Sequence, residues 1–283
     1  MALQKCHSRQ SLGEVLDSLR AAGNDWALVP TMGALHDGHV ALIRQAKAVC
    51  REVVVSVFVN PLQFGPSEDF RRYPRDVSRD AEIVRRAGGT VVFAPSSEEM
   101  IPKGLTVEVD PGRLGRVLCG RSRPGHFRGV CTIVAKLLNI VEPRYAFFGW
   151  KDAQQLVILR AMVRDLNMSV ELVGCETIRE SDGLAMSSRN VYLSKRERRM
   201  APELYRALRT AWEAYAQFGE RRSARLEGLV RQHVAQTTDA KLDYVKAVSL
   251  DDLTPLKEVE QGNTLLALAA WVGKTRLIDN VRL

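Results

Sequence analysis

The stretch that decides the fold runs from residue 26 to residue 59 and reads WALVPTMGALHDGHVALIRQAKAVCREVVVSVFV. Residues 26–30 predict a short strand that ends at Pro30, and from Gly38 onward the apolar residues recur at helical spacing. Residues 53–59 form a run rich in β-branched residues, which is typical of a strand buried on both faces of a parallel sheet. The stretch therefore predicts a strand–helix–strand unit.

The same alternation continues outward along the chain. The patterns predict a helix over 77–87 that ends at Gly88–Gly89, a strand over 90–95, a helix over 130–141, a strand over 144–148, a helix over 152–165 and a strand over 170–173. Repeated units of this kind indicate an α/β fold with a doubly wound parallel sheet. Such sheets bind ligands at the carboxyl ends of their strands, so we expect the chemistry in the loops after residues 30, 59 and 148.

The pattern changes near residue 180. Residues 195–237 are charged and helical, and residues 241–249, 264–272 and 275–282 read as strands. We therefore predict a first domain over 1–178 and a smaller α+β C-terminal domain over 179–283.

Composition places the chain among globular proteins, with 283 residues of which 46% are hydrophobic and 26% are charged. No apolar run has the length of a membrane helix, and the N-terminus lacks a signal-peptide core. The five cysteines are an odd number, are widely spread and form no CxxC pair, which favours free thiols in the cytoplasm and argues against a zinc site. The net charge of +8 fits an anionic partner such as nucleic acid, a nucleotide or a small acid.

The strongest local motif is PTMGALHDGH at 30–39, which follows a strand and opens a helix. Gly33 and Gly38 permit close approach of a ligand, and the helix start should direct backbone N–H groups at a phosphate. His36 and His39 lie on one side of the first helical turn, where both imidazoles can donate to phosphate oxygens. This H-x-G-H pattern indicates nucleotidyl transfer; the alternative is two histidines that cap the helix or lie on the surface.

Four further segments carry candidate groups. In the basic, glycine-rich start of the segment at 123–139, His126 and Arg128 either bind anions or cap the helix. Asn60 and Gln63 follow a buried strand and offer amide donors and acceptors, although Asn60–Pro61 also reads as a turn. In the segment at 147–156, Lys151 is a cation for phosphates, and Asp152 is either a carboxylate beside a metal or a helix N-cap. The segment at 179–194 presents Ser187, Ser188 and Arg189 in succession, and it reads either as a lid over a triphosphate or as a polar linker.

With these segments in this order, the sequence resembles the pantothenate synthetase (pantoate–β-alanine ligase) family of the HxGH nucleotidyltransferase superfamily. The matching blocks span most of residues 26–194 and are PTMGALHDGH, FVNPLQFGPSEDFRRYPRD, VVFAPS, RPGHFRGVCTIVAKLLNIVEPRYAFFGWKDAQQL and DGLAMSSRNVYLS.

The resemblance implies condensation of (R)-pantoate with β-alanine at the expense of ATP. The pantoate carboxylate attacks the α-phosphorus of Mg-ATP to give pantoyl adenylate and pyrophosphate, and the β-alanine amine then attacks the acyl carbon to give pantothenate and AMP. The resemblance further implies a Rossmann-like N-terminal domain, a C-terminal lid domain and a homodimer.

The resemblance also implies roles for individual residues. His39 matches the proton donor and His36 its motif partner, and Lys151 and Arg189 join them as candidate catalytic residues. Gln63 matches a residue shared by pantoate and β-alanine, Gln155 matches a second pantoate ligand, and Asn60 and Tyr73 match positions that line the site. The implied ATP-binding residues are Met32, Gly33, Ala34, Leu35, His36, Asp37, Gly38, His39, Gly149, Trp150, Lys151, Asp152, Ile178, Met186, Ser187, Ser188 and Arg189. Mg²⁺ accompanies ATP, with Asp152 as its candidate neighbour, and no other metal site is expected.

Two other interpretations stay open at this point. A class I aminoacyl-tRNA synthetase or another H-x-G-H nucleotidyltransferase shares the fold, but the chain leaves little room for a tRNA-binding domain, and a cytidylyltransferase leaves Gln63 and Gln155 unexplained. A nucleic-acid-binding module would use the basic clusters at 71–72, 121–123 and 195–199, which are scattered and carry no recognised nucleic-acid fold signature. We therefore expect neither nucleic acid nor a membrane as partner.

Overall fold

The computed structural model describes residues 3–66 and 68–283, and its larger sheet has six parallel strands. In chain order these are β1 (Gln4–Cys6), β2 (Trp26–Thr31), β3 (Glu52–Val57), β4 (Val91–Phe93), β5 (Tyr145–Gly149) and β6 (Glu171–Cys175). The spatial order is β1-β4-β3-β2-β5-β6, so the direction of winding reverses between β2 and β5. The predicted doubly wound parallel sheet is confirmed, and its ligand crevice is expected where β2 and β5 end.

Helices alternate with these strands along the chain. They are α1 (Arg9–Ala21), α2 (Asp37–Val49), α3 (Val77–Ala87), α4 (Ser97–Met100), α5 (Cys119–Ser122), α6 (His126–Val141) and α7 (Ala153–Asp165). Val53, Val54 and Val55 of β3 are all fully buried, as a strand covered on both faces requires. Alternate residues of β2 and β3 pack in one core cluster with residues of α2 and α3. The predicted end of α3 at Gly88 is confirmed, because its φ of 97° is the left-handed conformation that stops a helix.

The chain forms two compact units that are interleaved along the sequence. The first unit contains the described residues up to Arg116, Arg123–Trp150 and Ile158–Glu176, and the second contains Val117–Ser122, Lys151–Val157 and Thr177–Leu283. A single domain boundary after residue 178 stays a prediction.

The second unit contains a three-stranded antiparallel sheet in the order β7-β8-β9, with bounds Lys241–Ser249, Thr264–Val272 and Thr275–Arg282. Its longer C-terminal segment carries the helices α8 (Lys195–Met200), α9 (Glu203–Phe218) and α10 (Ser223–Thr237). The predicted strands and the helical character of 195–237 are confirmed, with interruptions around Pro202 and at Gly219. Pro202 lacks the N–H that a helix interior needs, and Gly219 has a left-handed φ of 67°.

The five cysteines are all free and buried. Burial raises the pKa of Cys131 to about 12 and that of Cys175 to about 11. A thiol reacts as its thiolate, so both groups are protonated and shielded at ordinary pH. Within residues 3–66 and 68–283, no helix is long and apolar enough to cross a membrane.

We expect the native protein to react only slowly with an aromatic disulfide reagent at mildly alkaline pH, because its five cysteines are buried. After denaturation without a reductant, five thiols per chain should react at once. A denatured, unreduced sample that yields fewer thiols would contain disulfides and contradict this assignment.

Candidate active site

The loop between β2 and α2 is shaped by a carboxylate from another element. Asp80 of α3 is 1% exposed, and its two oxygens accept hydrogen bonds from Ala34 N–H (3.0 Å) and Leu35 N–H (2.9 Å). Gly33 has a φ of 80°, and a Cβ there would lie 2.8 Å from Asp80 Oδ2. The close approach of this carboxylate therefore requires glycine at position 33.

The two histidines of the motif cap α2 reciprocally. His36 Nδ1 accepts from Gly38 N–H and His39 Nδ1 accepts from His36 N–H, each at 3.2 Å. The ring centroids are 4.1 Å apart. Since both Nδ1 atoms are acceptors, a neutral ring carries its proton on Nε2. The capping interpretation is confirmed, and the same bonds make Nε2–H of each histidine the donor on the other side of the ring.

One detail of the expected phosphate site is wrong. We expected the loop to offer backbone N–H groups to a phosphate, but most of these groups already have partners within the protein. Besides those paired with Asp80 and the imidazoles, Gly33 N–H bonds Thr31 Oγ1 (3.1 Å) and His39 N–H bonds His36 O (2.8 Å). The geometry therefore favours side-chain donors over a backbone cradle.

The candidate substrate amides lie beside this loop. Asn60 is 2% exposed and caps the 3₁₀ turn Pro61–Gln63, because its Oδ1 accepts from Leu62 N–H at 3.0 Å. Its Nδ2 donates to Gln63 Oε1 at 3.0 Å, and Gln63 Nε2 donates to Met32 Sδ at 3.0 Å. The turn interpretation of Asn60 is thus confirmed, and the structure brings the predicted residues Met32, Asn60 and Gln63 together.

Tyr73 packs among aromatic side chains. It is 5% exposed, and its ring meets that of Phe64 edge-on at 6.1 Å, while Phe64 lies 5.4 Å from Phe70. These contacts hold the chain that follows Gln63. The predicted place of Tyr73 in the site stays a prediction.

Behind Gln63 lies a charged network that joins His126, which the sequence offered as an anion ligand or a helix cap, to Arg123 and Glu68, which it did not assign to the site. Arg123 donates from Nε and Nη2 to the two oxygens of Glu68, each at 2.6 Å. His126 Nε2 lies 2.9 Å from Arg123 Nη1, and His126 Nδ1 lies 2.8 Å from Gln63 O. Burial tends to raise the pKa of Glu68, but the hydrogen bonds and the charge of Arg123 hold that pKa below its usual value.

The chain that follows β5 carries the predicted residues 149–155. Trp150 is buried, with the guanidinium of Arg160 5.1 Å from its ring centroid. Lys151 Nζ lies 3.7 Å from Asp152 Oδ2, and Lys151 O accepts from Asn280 Nδ2 at 3.2 Å. Gln155 lies half-buried in the first turn of α7. Its role as a substrate ligand stays a prediction.

In the second unit, residues 178–186 form a short hairpin that joins two predicted ATP-binding positions. Met186 N–H donates to Ile178 O at 3.0 Å, and the turn between them places Gly183 at a φ of 98°. Ser187 Oγ accepts from Arg189 N–H at 3.3 Å and caps the 3₁₀ turn Ser188–Tyr192. The segment is therefore an ordered element with its own hydrogen bonds, while its role as a lid stays a prediction.

Ion pairs anchor this hairpin. Arg179 donates to both oxygens of the buried Asp279, at 2.7 and 2.9 Å, and its guanidinium stacks 3.5 Å from the centroid of the Tyr205 ring. Arg198 of α8 bonds Glu180 at 2.6 Å and Asp182 at 2.5 Å. Arginine suits such positions because its planar fork satisfies two carboxylate oxygens at once.

Comparison with known proteins supports the resemblance of the motifs. A sequence model of the pantoate-β-alanine ligase family matches residues 4–282. A pantothenate synthetase from Pelotomaculum thermopropionicum is 50% identical over 275 residues, which are 97% of either chain.

Solved structures agree with this relationship. The crystal structure of pantothenate synthetase from Thermus thermophilus is 43% identical with a TM-score of 0.90, and 99% of either chain is covered. The pantoate-β-alanine ligase of Francisella tularensis, which was crystallised with β-γ ATP and β-alanine, is 32% identical with a TM-score of 0.81 over 99% of this chain and 98% of that one. Because the family model and these relatives each cover nearly the whole sequence, the chain belongs to the pantoate-β-alanine ligase family of enzymes.

Proposed function

We propose that this enzyme joins (R)-pantoate to β-alanine through a pantoyl-adenylate intermediate, with ATP as the second substrate. A pantoate carboxylate oxygen bonds to the α-phosphorus of ATP and the bond to pyrophosphate breaks. The β-alanine nitrogen then bonds to the acyl carbon, AMP leaves, and the amine loses a proton. Membership of the family supports this reaction, and so does the crystallisation of the Francisella tularensis relative with an ATP ligand and β-alanine.

The observation that carries the proposal is the pair of capping histidines. Both reactants of the first step are anions, and negative charge builds on the phosphate oxygens as pyrophosphate leaves. His36 and His39 each accept a backbone N–H at Nδ1, so their remaining ring proton lies on Nε2. Donors that are oriented before the reaction stabilise developing charge without reorganisation. We assign His39 Nε2–H as the hydrogen-bond donor to the leaving pyrophosphate and His36 Nε2–H as a second hydrogen-bond donor.

Side chains of the same unit supply the substrate contacts in this proposal. Gln63 binds pantoate and β-alanine in turn, since one amide can donate to a carboxylate and accept from an amine. Its bonds to Asn60 and Met32 support this assignment, because they hold the amide beside the histidine loop. The residues of the loop, Met32 to His39, and Gly149–Trp150 bind ATP, and Asn60 and Tyr73 line the site.

The second unit contributes further groups in this proposal. Lys151 and Arg189 are catalytic cations, Asp152, Ile178 and the segment Met186–Arg189 bind ATP, and Gln155 is a pantoate ligand. The hydrogen bond that ties Met186 to Ile178 supports a shared role for these two positions.

Mg²⁺ enters as the counter-ion of the ATP phosphates. Across residues 3–66 and 68–283, no group of three or more His, Cys, Asp or Glu side chains could hold a metal ion. In this proposal phosphate oxygens and water coordinate the Mg²⁺ ion, and Asp152 is the candidate carboxylate beside it.

The proposal includes a homodimer in the cytoplasm. The five free cysteines support a reducing compartment. Sedimentation should give twice the mass of one chain, and a monomer at all concentrations would remove this part of the proposal.

Product analysis tests the reaction itself. With pantoate, ATP and Mg²⁺ alone, a stoichiometric amount of pyrophosphate should form, and addition of β-alanine should release AMP and pantothenate. Omission of pantoate should abolish both products. Formation of ADP and phosphate would exclude the adenylate route.

The variant His39→Asn isolates the proposed hydrogen-bond donor. Asn Oδ1 can keep the bond to His36 N–H, while the Nε2 donor is lost. We expect kcat/KM to fall about 100-fold, because loss of one preorganised donor ordinarily costs about 3 kcal/mol of transition-state stabilisation. The melting temperature should stay near that of the wild type. His7→Ala, at an exposed position, is the control; near-normal turnover of His39→Asn would refute the role of His39.

The variant Gln63→Ala tests the substrate amide. Loss of one well-placed hydrogen-bonding group should raise KM for pantoate and for β-alanine about tenfold, with a smaller change for ATP. Steady-state kinetics with each substrate varied in turn measures this, and Gln10→Ala on the exposed face of α1 serves as control. An effect confined to ATP would count against the assignment.

The variant Asp80→Asn tests whether the shape of the loop serves ATP. An amide can accept from only one of the two N–H groups and turns its own N–H toward the other, so stability should fall by about 1–3 kcal/mol. KM for ATP should rise in the fraction that remains folded. Glu82→Gln on the same helix removes exposed ion pairs with Arg85 and Arg86, which contribute little to stability, and should leave KM for ATP unchanged. An unchanged KM for ATP in Asp80→Asn would show that the loop shape does not matter for ATP.

A further inference from the structure

The main chain at Gln63 is bonded as firmly as its side chain. Gln63 O accepts hydrogen bonds from His126 Nδ1 at 2.8 Å and from Arg123 Nη2 at 3.4 Å. The side-chain amide is meanwhile held by Asn60 and by Met32. The residue is therefore fixed at both ends, whereas a ligand-binding glutamine on a loop is ordinarily mobile.

The two partners of the His126 ring settle its tautomer. Gln63 O can only accept, so Nδ1 carries the proton that makes this bond. Arg123 Nη1 can only donate, so Nε2 accepts at 2.9 Å. His126 is thus neutral with its proton on Nδ1, the opposite of the tautomer that His36 and His39 require.

Glu68 makes this arrangement possible. The Arg123–Glu68 pair is largely buried, with side chains 15% and 23% exposed. The carboxylate neutralises the guanidinium and fixes its plane through two parallel hydrogen bonds, which leaves Nη1 directed at His126. The carboxylate therefore orients the guanidinium, the guanidinium orients the imidazole, and the imidazole holds the Gln63 carbonyl.

Close packing locks the same elements together. A Cβ at Gly129 would lie 2.3 Å from Leu62 O, so α6 rests directly on the turn that carries Gln63. Gly129 O also accepts from Asn60 Nδ2 at 3.0 Å. A tilt of the start of α6 would therefore move the turn that carries Gln63, because the two backbones are in direct contact.

We propose that Glu68, Arg123 and His126 are positioning residues for Gln63, and that they set the affinity for the two small substrates, the hydroxy acid and the amine, rather than for ATP. This inference rests on the proposed function of Gln63. It adds a specificity role for three residues that act through Gln63.

The first test needs no activity. In protein labelled with ¹⁵N in its five histidines, long-range proton–nitrogen correlations distinguish a protonated from an unprotonated ring nitrogen. His126 should show Nδ1–H and a bare Nε2, and His36 and His39 should show the reverse when neutral. We call the series of contacts from Glu68 through Arg123 and His126 to Gln63 the relay. A wild-type His126 that carries no proton on Nδ1 would overturn it.

The second test separates the two bonds of His126. Asn at this position keeps a donor where Nδ1 stood, whereas Gln places its amide near the position of Nε2 and loses the bond to Gln63 O. We expect His126→Gln and His126→Ala to raise KM for pantoate and β-alanine about tenfold, the effect of one buried hydrogen bond, with KM for ATP within about twofold of wild type. His126→Asn should recover most of the loss.

Matched controls separate positioning from stability. His7→Ala removes an exposed histidine whose Nδ1 also lies near a backbone carbonyl, Ala94 O at 3.1 Å, and Arg144→Gln removes an exposed arginine that pairs with Asp25 at 2.6 Å. Both should leave all KM values unchanged. Equal rises in all three KM values for His126→Gln, or no rescue by Asn, would reduce the relay to a structural support and refute the proposal.

The outcomes also separate this proposal from the proposed reaction. If the wild type makes no pantothenate, the reaction fails while the tautomer measurement still decides whether the relay exists. If the wild type is active and His126→Gln behaves as wild type, the relay fails and the reaction stands.

Discussion

A buried carboxylate that meets two consecutive backbone N–H groups sets the form of the site. Asp80 accepts from Ala34 and Leu35, and it holds the loop in a shape in which Gly33 and Ala34 both have positive φ. A left-handed alanine costs about 1–2 kcal/mol, and a hydrogen bond to a charged group contributes about 1.5–3 kcal/mol. The two bonds to Asp80 act against this strain, while burial disfavours the charged carboxylate and raises the pKa of Asp80 despite the same two bonds.

The same loop shows how structural and chemical roles can reside in one side chain. Imidazole is a rare helix cap, yet His36 and His39 each satisfy one of the N–H groups that a helix start leaves unpaired. Because the cap uses Nδ1, it also decides where the ring proton lies. In the proposed reaction these rings are donors whose orientation is fixed before any ligand arrives, in a loop whose backbone N–H groups are mostly paired with the protein.

Several arginines pair with carboxylates of their own unit. Arg123 pairs with Glu68, Arg179 with Asp279, and Arg198 with Glu180 and Asp182. Arg276 likewise bonds Asp243 at 2.7 Å. Each of these guanidiniums is balanced by at least one carboxylate, so the pairs position loops and strands but are not the source of the net charge of +8.

Local sequence patterns predicted the fold class and the position of the candidate site. The periodicities of β2, α2 and β3 predicted a doubly wound sheet, and the H-x-G-H block predicted a site where β2 ends, because turn residues and hydrophobic spacing are properties of neighbours in sequence. They did not predict that the loop N–H groups would be paired, since Asp80 lies 45 residues from Leu35 and looks like one charged residue among others on α3.

The sequence by itself determined the fold class, the family and the identity of the candidate groups. Only the tertiary structure decided which nitrogen of each histidine carries the proton and which charged residues support Gln63. Arg123 is 55 residues from Glu68, and His126 is 63 residues from Gln63. Such pairs form when α6 packs onto the turn after β3, and a hydrogen bond depends on that packing to within a few tenths of an ångström, which no linear pattern encodes.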